Sequence, residues 1–269
     1  MASSYAINPF FKGLIDWESP DAVAVVGGYR DEAGRAVPLT PEEYLAAVRR
    51  AAKECPELAQ TLARTIGAAV LAMEMQARGH RVTITSVEGC RHRVGPFLMT
   101  GHELVATLWA KVVRPHFALP PQRTGGDSCC TVEEARLVVD LALQGPAGDQ
   151  KFVQCVTTSY HVRRADLALR DALRIRRAEG AVNLLPTLTP EQVFESARLV
   201  PGLEPLKRIV EAAALPESAL RWERQGERLT RLLHTVSSLL ERLTGGRFNL
   251  ERRLAASRRL AFAEGIMEA

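Results

Sequence analysis

Residues 152–170 read FVQCVTTSYHVRRADLALR. An apolar run over 152–156 stops at three small hydroxyl residues, Thr157, Thr158 and Ser159. His161, Arg163 and Arg164 follow at once, and then a helical period takes over, with Val162, Ala165, Leu169, Ala172 and Leu173 on one face. A buried parallel strand reads as such a continuous apolar run, and a helix as a 3.6-residue period. The stretch is therefore a strand running into a helix, with its polar groups at the turn. In α/β proteins ligands sit outside the carboxyl ends of such strands, so His161 and Arg164 are the first candidates for function.

Outward from this stretch the chain repeats the alternation. A helix is expected over 41–53, where Thr40, Pro41 and Glu43 supply an N-cap, a first-turn proline and a capping-box carboxylate. A second helix follows over 57–78, and a strand over 81–87, RVTITSV. Further helices are expected over 101–113 and 131–144, the latter with Thr131 and Glu134 as a capping box. A last strand is expected over 181–185. Residues 21–28, DAVAVVGG, read as the first buried strand, ended by Gly27 and Gly28. Residues 114–126 read as loop with at most a short strand. The implied fold is α/β: a three-layer α/β/α domain with a doubly wound parallel sheet over 1–187. Residues 188–269 form an α-helical C-terminal extension, packed on that domain or on a partner. It begins at Thr189, Pro190 and Gln192 and carries an amphipathic stripe of Leu229, Leu232, Leu233, Val236, Leu239, Leu240 and Leu243.

Composition narrows the classes of function. A hydrophobic fraction of 46% in 269 residues is enough for a large core. The net charge of +4 is small for this length and makes no case for nucleic acid as a partner, which would need basic residues clustered on one face; none is expected. No apolar run approaches the roughly 20 residues that span a bilayer, and the start has no basic segment leading into an apolar one. Five cysteines, with Cys129 and Cys130 adjacent, make a poor disulfide framework. A cytoplasmic, reducing setting is expected, and the Ala, Arg and Leu bias fits a bacterial genome.

Several side chains have chemistry to offer. His161 is a candidate acid or base near neutral pH, and Arg164 a planar clamp for phosphate or carboxylate. Gly27 and Gly28 lack the patterns of a dinucleotide fingerprint or a Walker loop, yet glycines there let backbone amides approach a ligand. Ser128 and Cys130 lie just outside a helix start. A metal site from Cys90, His92, Cys130 and His161, with Cys129 adjacent, is the alternative, although the spacing matches no CxxC site and argues against zinc. A nucleophilic Cys90 or Cys130 paired with His161 is another alternative.

Residues 156–165, VTTSYHVRRA, resemble the VTS-x-YH-x-x-RA signature of the YdcF-like (SanA/ElyC/YdcF) family of bacterial proteins. The match rests on Thr157, Tyr160, His161, Arg164 and Ala165. Ser128, Thr131, Glu133 and Ala135 resemble that family's S-x-N-T-x-E-N-A segment, and residues 21–28 its first strand. Departures are clear: residues 86–89 read SVEG where the family has SGG, and Cys130 and Glu134 stand for two asparagines. The resemblance implies a pocket lined by Gly27, Gly28, Ser128, Cys130, Thr131, Glu133, Thr157, Ser159 and Tyr160. It would hold a small anionic or nucleotide-like molecule, such as S-adenosylmethionine, beside catalytic His161 and Arg164. The expected activity is of transferase or hydrolase type. The competing expectation is a non-catalytic accessory protein acting through its helical extension, as a homo-oligomer or on a partner.

Overall fold

A computed structural model describes residues 2–10, 16–17, 19–33, 35–89, 91–95, 97–115, 122–128 and 130–263. In chain order the strands are β1 (Ser3–Pro9), β2 (Asp16–Trp17), β3 (Tyr29–Arg30), β4 (Ala36–Val37) and β5 (Arg81–Glu88). They continue with β6 (Arg91–Val94), β7 (Phe97–Thr100), β8 (Gln122–Ser128), β9 (Gln150–Val156) and β10 (Val182–Leu184). The helices are α1 (Pro20–Val25), α2 (Pro41–Glu54), α3 (Pro56–Ala77), α4 (Gly101–Leu108), α5 (Thr131–Leu143) and α6 (Val162–Ile175). The last four are α7 (Pro190–Ser196), α8 (Glu204–Ala212), α9 (Glu217–Leu243) and α10 (Leu250–Ala263). A π-helical turn, Trp109–Val113, continues α4.

Five strands form the main sheet in the order β10-β9-β1-β5-β8, and every pairing is parallel. Taken in chain order this is 3-2-1-4-5 from one edge to the other, the order of a doubly wound sheet. The winding shows in the two cores. Ile7, Val82, Ile84 and Val156 join α3 and α4 on one face. Ala6, Phe10, Val87, Val153 and Cys155 join α5 and α6 on the other. Alternate residues of β1 thus feed opposite layers, as the period of a strand requires. The three-layer α/β/α fold expected from the sequence is present.

The first strand is not where the apolar pattern puts it. Residues 21–28 are not a strand: Pro20–Val25 is helix α1, capped by the Ser19 side chain, which accepts from the Asp21 amide. Ser-Pro-Asp is a helix-start signature, and it outweighs an apolar run too short to show a period. The central strand is instead β1, SSYAINP. Residues 114–126 do contribute a strand, β8, although QRTGGDS carries no apolar residue. At α5 the N-cap is Cys130, and Thr131 is the first helical residue, so no capping box forms there. The boxes at Thr40 and Thr189 are both made, each with its third helical residue.

The C-terminal helices divide between the two faces. Val193, Leu206, Ile209, Val210 and Ala213, from α7, α8 and just beyond, enter the same core as α2 and α3. The Glu74 carboxylate of α3 accepts from the amides of Arg198 and Leu199. Gly67 lets α3 pass close to the end of β9: a Cβ there would lie 2.9 Å from Val156 and 3.0 Å from Pro190. Residue 187 is therefore no break in packing. On the other face α9 and α10 reach α5 and α6 through polar side chains. No helix among the described residues is long and apolar enough to cross a membrane.

Candidate functional site

The sheet changes winding direction between β1 and β9, whose connections leave on opposite faces. A crevice opens at the carboxyl ends of such a strand pair. Here those ends are Phe10 and Thr157. The amide of Phe10 donates to the Val156 carbonyl, and the Thr157 hydroxyl to the Phe10 carbonyl. Beyond Thr157 the chain turns through Thr158, exposed Ser159 and buried Tyr160 to His161, the residue that caps α6. The sequence-derived turn thus stands at the switch point, with Thr157, Ser159, Tyr160, His161 and Arg164 brought together.

His161 is 0% exposed and its ring lies 5.6 Å from that of Phe10, centroid to centroid. Nδ1 is 2.8 Å from Oε1 of Glu227, a fully buried residue of α9. Arg164 Nε lies 3.4 Å from the other oxygen of the same carboxylate. Burial, and next the Arg164 guanidinium, pull the imidazole down to about 4, against the opposing pull of Glu227. The ring is therefore neutral at pH 7. Because a carboxylate only accepts, Nδ1 carries the proton and Nε2 keeps its lone pair. Nε2 has no hydrogen-bond partner among the described residues.

Around this pair the interior is unusually polar. Arg64 of α3 is 1% exposed, donates to the Thr61 hydroxyl at 2.8 Å and adds its charge to the field at His161. Burial, followed by the charge of Glu57, pushes the Tyr160 phenol up to about 12. Arg64 and Arg164 thus share the region with Glu57 and Glu227, and the formal charges balance. The guanidinium expected to clamp an anion already faces a carboxylate of its own chain.

The remaining candidates lie elsewhere. Gly27 and Gly28, at φ +118° and +143°, form the turn after α1 and not the end of a sheet strand. A Cβ on Gly28 would sit 2.3 Å from the Val37 carbonyl oxygen, and one on Gly27 3.0 Å from the Lys111 side chain. The positive φ at both positions, and the nearby Val37 backbone at Gly28, account for these glycines. The Ser128 hydroxyl donates to the Val87 carbonyl at 2.6 Å and ties β8 to β5. Glu133 faces Arg252 of α10 at 3.4 Å, and Thr131 is buried in the first turn of α5. None of these contacts is to His161. Burial pushes the Cys130 thiol up to about 12, which disfavours the thiolate that a nucleophile needs. Cys90 and Cys129 lie outside the described residues. Among those described, no group of three or more His, Cys, Asp and Glu could hold a metal ion.

Glu227, Glu57, Arg64 and Phe10 were not singled out from the sequence. Glu227 left one trace: Glu227, His234 and Glu241 recur every seven residues along α9, and all three are buried. His234 Nδ1 is 3.0 Å from Glu251 and Nε2 3.3 Å from Asp171 of α6. Arg136 of α5 donates to both Glu241 oxygens, at 2.6 and 2.7 Å. This polar row, not the leucine stripe, faces the α/β layers. Comparison with protein-family models, curated proteins and solved structures finds no match for the chain.

Proposed function

We propose that the chain takes up a small anionic molecule in the crevice between β1 and β9 and acts on it as an enzyme of transferase or hydrolase type. His161 would serve as acid/base and Arg164 as anion contact. The observation that carries this reading is His161 at the switch point, held neutral, oriented through Nδ1 by Glu227 and with an Nε2 that has no hydrogen-bond partner among the described residues. A carboxylate behind an imidazole fixes its tautomer and steadies the cation formed when the ring takes a proton. The strand–turn–helix that resembles the YdcF-like signature contributes both residues. A cytoplasmic setting suits the buried free thiols Cys55 and Cys155.

An incoming anion would compete with Glu227 for Arg164. The ligand's charge is thus mirrored in the carboxylate that Arg164 already faces. The test is a thermal-shift screen of nucleotides, S-adenosylmethionine, sugar phosphates and small carboxylates, on wild type and on His161→Gln. A compound that raises the wild-type Tm, and whose effect is lost in a folded His161→Gln, supports the reading. A panel without any shift, or a shift that survives the substitution undiminished, overturns it.

A further inference from the structure

The outer face of α9 is as apolar as its inner face is polar. Trp222, Leu229, Leu232, Val236, Leu239 and Leu243 are between 41% and 76% exposed. Their spacing of three and four residues is that of a heptad seam, with Trp222, Leu229, Val236 and Leu243 at one core position and Leu232 and Leu239 at the other. Gln225 is the polar residue in the seam. Glu227, His234 and Glu241 share the position opposite it. Rotating α9 to bury the leucines would withdraw those three buried groups from His161, Asp171 and Arg136. Breaking one buried ion pair alone costs about 3–5 kcal/mol. The helix is therefore fixed with its seam outward.

We propose that this seam is the contact surface for a second copy of the chain, with two α9 helices pairing as a short coiled coil. The dimensions suit such an interface. The seam runs from Trp222 to Leu243, roughly 30 Å at 1.5 Å per residue. Its six side chains offer roughly 700 Å2 of apolar surface per copy, against the ~800 Å2 per partner of a standard interface and the few hundred Å2 that lone soluble proteins leave exposed. The flanks suit a copy as well. Arg221 and Arg228 line one side of the seam, and uncharged Gly226, Leu233 and Leu240 the other. Two helices running in the same direction set each basic flank against the uncharged flank of the copy, so no like charges meet. The seam lies opposite the face that holds the α/β layers, so the two bodies point away from each other.

Sedimentation equilibrium of the full chain reads this directly. Wild type is expected at twice the 29.5 kDa chain mass in the micromolar range. The double variant Leu232→Glu/Leu239→Glu is expected to be monomeric, its dimer weakened at least a hundredfold, with unchanged far-UV circular dichroism. A wild type that stays monomeric up to high micromolar concentration overturns the proposal, as it would if another segment or another protein covered the seam. A variant that still dimerises overturns it too.

Discussion

Two histidines flank the inner face of α9, and they are set up in opposite ways. His161 and His234 are both buried, and each points Nδ1 at a glutamate. His161 has one carboxylate, Glu227, and shares it with Arg164. Burial and the guanidinium prevail, and the ring is neutral down to about pH 4. For His234 burial again opposes the charge. Here hydrogen bonds to two carboxylates, Asp171 and Glu251, outweigh it and raise the ring to about 9. Ser238 donates to the same Asp171, and Arg242 lies 3.5 Å from it. The first histidine keeps a lone pair for other work. The second sets both nitrogens against carboxylates, with Nδ1 hydrogen-bonded to Glu251 of α10 and Nε2 3.3 Å from Asp171 of α6. Burial lowers both rings, and the number of carboxylates beside each decides whether it is overcome.

Removing one carboxylate from each histidine gives the largest contrast. Glu227→Ala strips the partner from His161 and from buried Arg164 together, and an uncompensated buried charge costs about 3–5 kcal/mol. Glu251→Ala leaves His234 its 3.3 Å contact with Asp171 and is expected to cost about 1.5–3 kcal/mol, the scale of one charged hydrogen bond. Urea unfolding of the two variants beside wild type measures both. Equal losses would mean that the two sites do not differ in the way their geometry implies.

Acid and alkali separate the two rings. His234 has a folded value above the ordinary 6.5, so its contribution is complete below pH 6.5 and is lost as pH rises through about 9. His161 has a folded value below 6.5, so the folded state binds its proton less readily than the unfolded chain does. Its contribution is complete above pH 6.5 and is lost as pH falls through about 4. Asp171, lowered to about 2 by the hydrogen bonds from His234 and Ser238 against the effect of burial, fails only in stronger acid. Each histidine limb amounts to roughly 3 kcal/mol at most. Scans of Tm against pH should show the alkaline limb flattened in His234→Gln with the acid limb intact, and the reverse in His161→Gln. Loss of both limbs in either variant would show that the two sites are coupled through α9.

What the sequence disclosed follows the range of the interactions. Capping signals act over three residues, so the starts of α2 and α7 could be read from Thr40 and Glu43 and from Thr189 and Gln192. The turn at His161 was legible because β9 and α6 adjoin it. The strand β1 was not, because Tyr5 and Ile7 alone carry its alternation. The apolar run of α1 is six residues long, too short for its period to separate helix from strand. Glu227 lies 66 residues from His161, on a helix read from its leucine stripe alone. Leucine spacing gave the existence of the α9 stripe but not its direction. That was set by buried partners on α5 and α6, which no local pattern records.

Arg163 and Arg164 bring the same contrast down to adjacent residues, with the smallest expected effect. The first helical turn points them apart: Arg163 is exposed, while Arg164 is buried against Glu227. Exposed substitutions away from caps and buried pairs change stability by about 0.5 kcal/mol or less. Arg163→Ala should therefore leave the unfolding midpoint within that margin and leave the acid limb unchanged. Arg164→Ala removes the largest of the charge effects that hold His161 down, so the His161 value should rise and its acid limb should move toward neutral pH, whatever the loss in overall stability. Titration of the His161 ring by NMR in both variants distinguishes the two. An identical His161 titration in Arg164→Ala and Arg163→Ala would show that burial, and not the guanidinium beside it, holds the imidazole down.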